Sequence, residues 1–220
     1  MSKKKLQVFI SSTYTDLIGE RQAAVQAVLD AGHIPAGMEL FKAGDKSQLD
    51  TIRKWIDNSD VYMLIMAGRY GTVEKESNKS YTQLEYEYAA KKGLPIFSFL
   101  LSNPFLENKA KILGKEKVYE RENVTAYENF KELVLSKIVK WGDDEKDIKL
   151  TVHTTLKDFI EEYDLIGWVR SNDTEANHSL LTQLNELSIN NKELLDENKR
   201  LLEKLSSLQT SFESNLAFED

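Results

Sequence analysis

The sequence predicts a doubly wound α/β domain, then helices, then a C-terminal parallel coiled coil. Three observations predict it. Short apolar runs alternate with helix-spaced segments through the first hundred residues. Two of those runs, Val61 to Met66 and Leu94 to Leu101, are hydrophobic without interruption. Leucines recur at every seventh position near the end. Continuous hydrophobicity marks strands covered on both faces, and strand–helix alternation marks parallel strands joined by right-handed crossovers.

The first strand is Leu6 to Ile10, running into the polar turn Ser11-Ser12-Thr13. Asp16 to Ala31 carries apolar residues at helical spacing (Leu17, Ala24, Val25, Val28, Leu29), with Gly32 as its stop. A second strand fits Ile34 to Leu40, and Thr51 to Asn58 reads as a helix with Ile52, Trp55 and Ile56 on one face. Val61 to Met66 is the third strand, ended by Gly68 and Gly71. Ser80 to Lys92 is a helix stopped by Gly93, and Leu94 to Leu101 is the fourth strand. The order makes the sheet flavodoxin-like, and ligands of such sheets bind outside the carboxyl ends of the strands. Ser11 to Tyr14, Glu39 to Gly44, Gly68 to Gly71 and the helix start at Ser80 are therefore expected to line a site. Between Asn103 and Trp141 only Ala126 to Val139 reads clearly as helix. Gly142 to Glu145 is a polar break, Val152 to Ile166 a last amphipathic helix, and Ser171-Asn172-Asp173 a linker. The expected organisation is an α/β domain over 1–145, a helical extension and linker over 146–172, and a coiled coil over 173–215.

Leu180, Leu187, Leu194, Leu201 and Leu208 form the d positions of a heptad repeat. Leu184, Asn191, Asn198, Leu205 and Phe212 follow four residues after each. Leucine at d with asparagine at a is the pattern of a parallel two-stranded coil whose register the buried asparagines fix. A homodimer is expected through Leu180, Leu184, Leu187, Asn191, Leu194, Asn198, Leu201, Leu205 and Leu208. Leu181, Leu195 and Leu202 at e widen the stripe and leave open a higher oligomer, or a helix folded back on its own domain.

Composition sets limits on function. The 220 residues carry a net charge of -7, and the one basic run is Lys3-Lys4-Lys5, so nucleic acid is not an expected partner. Cysteine is absent, which excludes disulfides and thiolate metal sites. The apolar run after the basic start is far too short for a signal-peptide core or a membrane span, so no membrane partner and a cytoplasmic location are expected. His33, His153 and His178 stand apart without ligand spacing, so no metal is expected. Neither GxxxxGK[ST] nor GxGxxG occurs, which argues against NTPase and Rossmann redox chemistry.

Val8 to Leu17 (VFISSTYTDL), with Glu20-Arg21 after it, resembles the opening of a TIR-like domain family of unknown function. Gly68-Arg69-Tyr70-Gly71, Ser80 to Ala89 and Gly93-Leu94-Pro95-Ile96 fit the same family, and Gly167-Trp168-Val169-Arg170 is a fainter echo. The family is related to TIR NADases and nucleoside 2-deoxyribosyltransferases. Those enzymes place a glutamate eight residues before the glycine that precedes the fourth strand, and Glu85 stands eight before Gly93. The resemblance implies cleavage of an N-ribosidic bond, with NAD as substrate and no resident cofactor. Departure of the base builds positive charge on the ribose, which a carboxylate stabilises or attacks. Nicotinamide leaves as a neutral molecule, so one carboxylate suffices.

Glu85 competes with Glu87, two residues on and facing another side. Glu87 has Lys91 four residues later, the order of a surface pair, whereas Glu85 has Ala89 there. Glu85 is accordingly the catalytic candidate. The ligand-binding candidates are Ser11, Ser12, Arg21, Gly68, Arg69, Tyr70 and Tyr81. Ser11 and Ser12 hold a ribose or phosphate through backbone N–H groups, or form a plain turn into the helix. Arg21 reaches a pyrophosphate or pairs with an acid. Arg69 contacts a phosphate or forms a structural salt bridge. Tyr70 and Tyr81, with Phe41, stack on a base, and Phe9 belongs to the core. Three functions follow: a TIR-like NAD glycohydrolase or signal-forming enzyme in antiviral defence; a non-catalytic adaptor that binds a nucleotide, or an effector or sensor protein, and dimerises; and a nucleoside N-glycosidase.

Overall fold

The computed structural model describes residues 4–37, 48–169 and 175–216. Five parallel strands, β1 (Gln7–Ser11), β2 (Ile34–Ala36), β3 (Val61–Met66), β4 (Ile96–Leu101) and β5 (Val139–Gly142), form one sheet in the order β2-β1-β3-β4-β5. The helices are α1 (Ile18–Asp30), α2 (Gln48–Asp57), α3 (Tyr81–Lys92), α4 (Asn103–Leu113), α5 (Lys115–Val118), α6 (Val124–Leu135), α7 (Glu145–Glu162) and α8 (Glu175–Leu216). This is the flavodoxin-like arrangement. The order reverses between β1 and β3, the place where sheets of this type hold ligands.

Alternate residues of the central strands feed two cores. Val8, Ile10, Met63, Ile65, Phe97 and Phe99 meet α1, α4 and α7 on one face. Phe9, Tyr62, Leu64, Met66 and Leu100 meet α2, α3 and α6 on the other. Burial on both sides explains the unbroken hydrophobic runs of β3 and β4. Ser11 has the parity of Phe9, so its side chain lies on the α3 face, which puts a hydroxyl under the helix that carries Glu85.

Helix ends follow the local chemistry. Ser80 Oγ accepts from Gln83 N at 3.2 Å at the start of α3, and Gly93 closes the helix with φ +73°. Asp144 accepts from Lys146 N and Asp147 N at 2.7 and 2.9 Å and caps α7. The polar break predicted at 142–145 therefore contains a helix start, and α7 begins seven residues before the expected Val152. Ile148, Val152 and Leu156 of α7 enter the core beside α1. Strand β5 falls where only helix and break were predicted.

The chain divides into two compact units, one spanning Lys3–Trp168 and the other holding α8. Residue 38–47 is a stretch outside the described residues, as are the linker 171–173 and the expected strand end at Leu40. Helix α8 runs for 42 residues, and its Leu184, Leu187, Leu194 and Leu201 are more than half exposed. No described helix is long and apolar enough to cross a membrane.

Candidate functional site

Two secondary structures bring the central pair together. Ser11 ends β1, and Glu85 sits in the second turn of α3. The Ser11 hydroxyl donates to Glu85 Oε2. Both are buried, with 1 % and 3 % of their surfaces exposed. A carboxylate this enclosed needs hydrogen-bond donors to stay ionised, and a hydroxyl at the strand end is one. Beneath them lies Tyr62 of β3, whose ring stacks on Phe9 at 5.7 Å and meets Tyr86 edge-on at 6.1 Å. Burial pushes the Tyr62 phenol well above its ordinary range, and the charge of Glu85 adds to that.

The β1–α1 turn continues the site. Arg21 is buried and its Nη1 donates to Ser12 Oγ at 3.0 Å, while Ser12 Oγ donates to the Thr13 carbonyl at 2.6 Å. Arg69, after β3, donates from Nη1 to Thr15 Oγ1 at 3.2 Å. Two arginines thus each donate to a hydroxyl of the same turn. Gly71 (φ +92°) lies so close that a Cβ there would come within 2.9 Å of Thr13 Cγ2. At Gly68 a Cβ would stand 2.5 Å from the Val118 carbonyl, so glycine lets α5 press on the end of β3.

Other sequence candidates are placed differently. Tyr70 is buried, donates to Gln83 Oε1 at 2.5 Å and packs edge-on against Phe130, so it is a core ring rather than an open stacking surface. Tyr81 is half-buried against the same core. Glu87 does not pair with Lys91. Lys79, just ahead of α3, reaches two turns along it and binds Glu87 at 2.7 Å, with Gln83 Nε2 also donating at 2.7 Å. The expected Phe41 contact falls outside the described residues.

Several groups carried little sequence signal. Lys109 of α4 meets Glu20 of α1 at 2.5 Å, an ion pair with only 15 % and 6 % of its side chains exposed. Asp16 is buried beside them; burial raises its carboxyl pKa above the ordinary value, against the pull of Thr13, Arg69 and Lys109. Glu120 accepts four backbone N–H groups, from Tyr70 at 2.9 Å and from Arg121, Glu122 and Asn123 at 3.1–3.2 Å. Burial works to raise its pKa, but these bonds outweigh it and hold the carboxyl below its ordinary value. Tyr127 donates to the Ala67 carbonyl at 2.7 Å, and burial pushes its phenol up to about 12. A tyrosine inside an otherwise apolar strand, as at Tyr62, was the one visible hint of a buried polar handle.

A cavity of about 840 Å³ opens at the amino ends of β4 and β5, lined by residues such as Tyr86, Phe97, Leu133 and Phe159. It lies at the opposite end of the sheet from Ser11 and does not include Glu85. Its size suits a ligand, but the polar groups that could do chemistry converge at the strands' carboxyl ends.

The family model described as "Domain of unknown function (DUF4062)" matches residues 7–157. The chain belongs to the DUF4062 family. The match runs from β1 into α7, so the Ser11–Glu85 pair lies inside the DUF4062 domain and α8 lies beyond the match. No curated protein matches the chain. Among solved structures, the TIR domains of the activated Roq1 resistosome are similar at 14% identity, covering 70% of this chain and 99% of that one, with a TM-score of 0.47. A flavo di-iron protein mutant from Thermotoga maritima is similar at 15% identity over 71% of this chain, TM-score 0.39, and the DUF4062 chain spans about a third (36%) of it. A diflavin flavoprotein A3 from Nostoc sp. is similar at 13% identity over 74% of this chain and 100% of that one, TM-score 0.36.

Proposed function

We propose that this DUF4062 domain cleaves the N-ribosidic bond of NAD or a related nucleotide, with Glu85 as the catalytic carboxylate. One observation carries the reading: Glu85, buried on α3, takes a hydrogen bond from Ser11 at the carboxyl end of β1, beside the point where the strand order reverses. As nicotinamide leaves, the ribose ring gains positive charge, and a preorganised carboxylate in a low-dielectric site stabilises it strongly. The Ser11-Ser12 turn and Arg21 supply hydroxyl and guanidinium groups suited to a ribose and its phosphate. The resemblance to TIR enzymes supplies the substrate class, and with it a role in antiviral signalling. Two copies joined through α8 would set two such sites side by side, the exposed Leu187, Leu194 and Leu201 supporting that assembly.

The test is NAD consumption by the purified chain at several protein concentrations, beside Glu85→Gln. Nicotinamide release lost in the variant supports the reading. Its absence at every concentration, from folded protein, rejects it. A second reading is favoured by the burial of Glu85 itself: with 3 % of its surface exposed, the residue serves as a structural acid in a non-catalytic adaptor that binds a nucleotide or a partner protein. In that case Glu85→Gln lowers stability and leaves ligand binding in place.

A further inference from the structure

Tyr14 and Ile18 are large apolar side chains left 58 % and 54 % exposed, although Leu17 between them and Ala24 on the same helix are fully buried. They stand together. With Arg21, Gln22 and Val25 they line a cleft of about 220 Å³. Ile18, Arg21, Gln22 and Val25 are spaced i, i+3, i+4 and i+7, so they form one stripe of α1. Tyr14 joins them from the turn that follows Ser11, the last residue of β1. The cleft therefore lies at the end of the sheet where ligands of this architecture bind. Its volume is below the roughly 300–1,000 Å³ that takes a drug-sized molecule whole, so it fits one part of a ligand. Arg21 belongs to the cleft and to the candidate site at once. Its Nη1 donates to Ser12 Oγ at 3.0 Å, next to the Ser11 hydroxyl that donates to Glu85.

The lining names the chemistry of that part. An exposed phenol ring offers a face for stacking, and Ile18 and Val25 offer aliphatic contact. Gln22 is exposed, and its carboxamide carries a donor and an acceptor side by side. Such an amide pairs bidentately with the amino group and ring nitrogen of adenine. The Arg21 side chain runs from the cleft to Ser12, a positive charge along the path that the phosphates of a dinucleotide would follow. We propose that this cleft is a subsite for a purine base, adenine foremost: Tyr14 stacks on the ring and Gln22 reads its amino edge. The nucleotide then extends along Arg21 toward Ser11 and Glu85. The inference rests on the reading of Glu85 for the reaction at the far end, but not for the binding of the base.

The experiment uses the full chain and AMP, which carries the base but no nicotinamide. AMP is titrated into nitrogen-labelled protein and followed at the Gln22 side-chain amide, its signal identified by loss in Gln22→Leu. The expected result is a Gln22 signal that moves with AMP to a plateau. IMP, in which a carbonyl replaces the amino group, binds about tenfold more weakly, and Gln22→Leu removes that preference. Tyr14→Ala weakens AMP roughly 10- to 100-fold, the loss of one stacked base. Where NAD is consumed, the same variant raises KM and leaves kcat level. A Gln22 signal that AMP does not move overturns the proposal, whether or not the chain consumes NAD. Equal binding of AMP and IMP overturns it, and so does AMP binding at full strength in Tyr14→Ala. The wild-type titration decides even where a variant fails to fold. AMP seated against Gln22 in a protein that leaves NAD intact upholds the subsite and removes only the choice of reaction.

Discussion

Ser11 and Glu85 are 74 residues apart in sequence and share one hydrogen bond. The bond joins the end of a strand to the face of a helix, so it fixes the acid against the central sheet. Ser11→Ala keeps the backbone turn and removes the donor. The expected result is a loss of about 1–3 kcal/mol in urea unfolding, because a buried hydrogen bond to a carboxylate is lost. Should the domain cleave NAD as proposed, nicotinamide release in the same variant drops tenfold or more. Unfolding curves and nicotinamide release, measured on one preparation, check both.

The Lys109–Glu20 pair ties α4 to α1. Removing one partner of a buried ion pair strands the other charge, at a cost of about 3–5 kcal/mol. Lys109→Met should therefore lower the denaturation midpoint sharply. The double variant Lys109→Met/Glu20→Leu should regain most of the loss, which a double-mutant cycle reads directly.

Asp16 has a folded-state pKa above the value of 3.8 that it takes when exposed, chiefly because burial disfavours its charge. Between those two values the native state holds a proton that the unfolded chain has released, so stability falls as pH rises across the window. Asp16→Asn should consequently stabilise the protein at neutral pH. The gain should shrink as pH is lowered through the window and vanish below it. Guanidinium unfolding at several pH values tests the slope.

Glu120 behaves in the opposite sense. Its four backbone bonds hold its pKa below the ordinary 4.5. Its contribution is present above that value and is lost as pH falls through the folded-state pKa. Glu120→Ala should cost about 1–2 kcal/mol near neutrality, discounted for its partial exposure. Much less is expected in acid. Amide exchange should rise at Tyr70 and Asn123, the two ends of the connection.

Helix α8 exposes Leu184, Leu187, Leu194 and Leu201 at its a and d positions, with Leu195 exposed beside them at e. Where α8 pairs two copies, as proposed, Leu194→Lys together with Leu201→Lys should leave the domain folded and reduce its mass in sedimentation to that of a monomer. On the same proposal an Asn191→Leu/Asn198→Leu variant should instead populate larger assemblies, since buried asparagines at a positions would set the register of such a coil.

The parts of the fold that were legible in the sequence are those where burial is two-sided. β3 and β4 announce themselves because every residue faces protein. β5 does not, since Lys140 and Trp141 of this short edge strand are exposed and leave no apolar run. The same reasoning applies to the site. Ser11 and Glu85 were singled out separately, one by strand position and the other by spacing to Gly93. Their contact is tertiary and has no local signature. The Glu87–Lys91 rule failed because Lys79, from outside the helix, competes better than the neighbour one turn on. Asp16, Glu20 and Lys109 look like ordinary surface residues in sequence, and only tertiary packing buries them.

Lys5 and Trp168 exchange two backbone hydrogen bonds, at 2.9 and 2.7 Å. Asp60 braces the same corner, accepting from Gln7 N and from Gly167 N at 2.8 Å each. The entrance and exit of the compact unit are therefore neighbours. A unit whose two ends meet can be spliced into another chain as a detour, with little loss of loop entropy to either. It can equally be circularly permuted by a short bridge across that corner. The fold is thus portable, and its position in a longer polypeptide is a matter of gene arrangement rather than of folding.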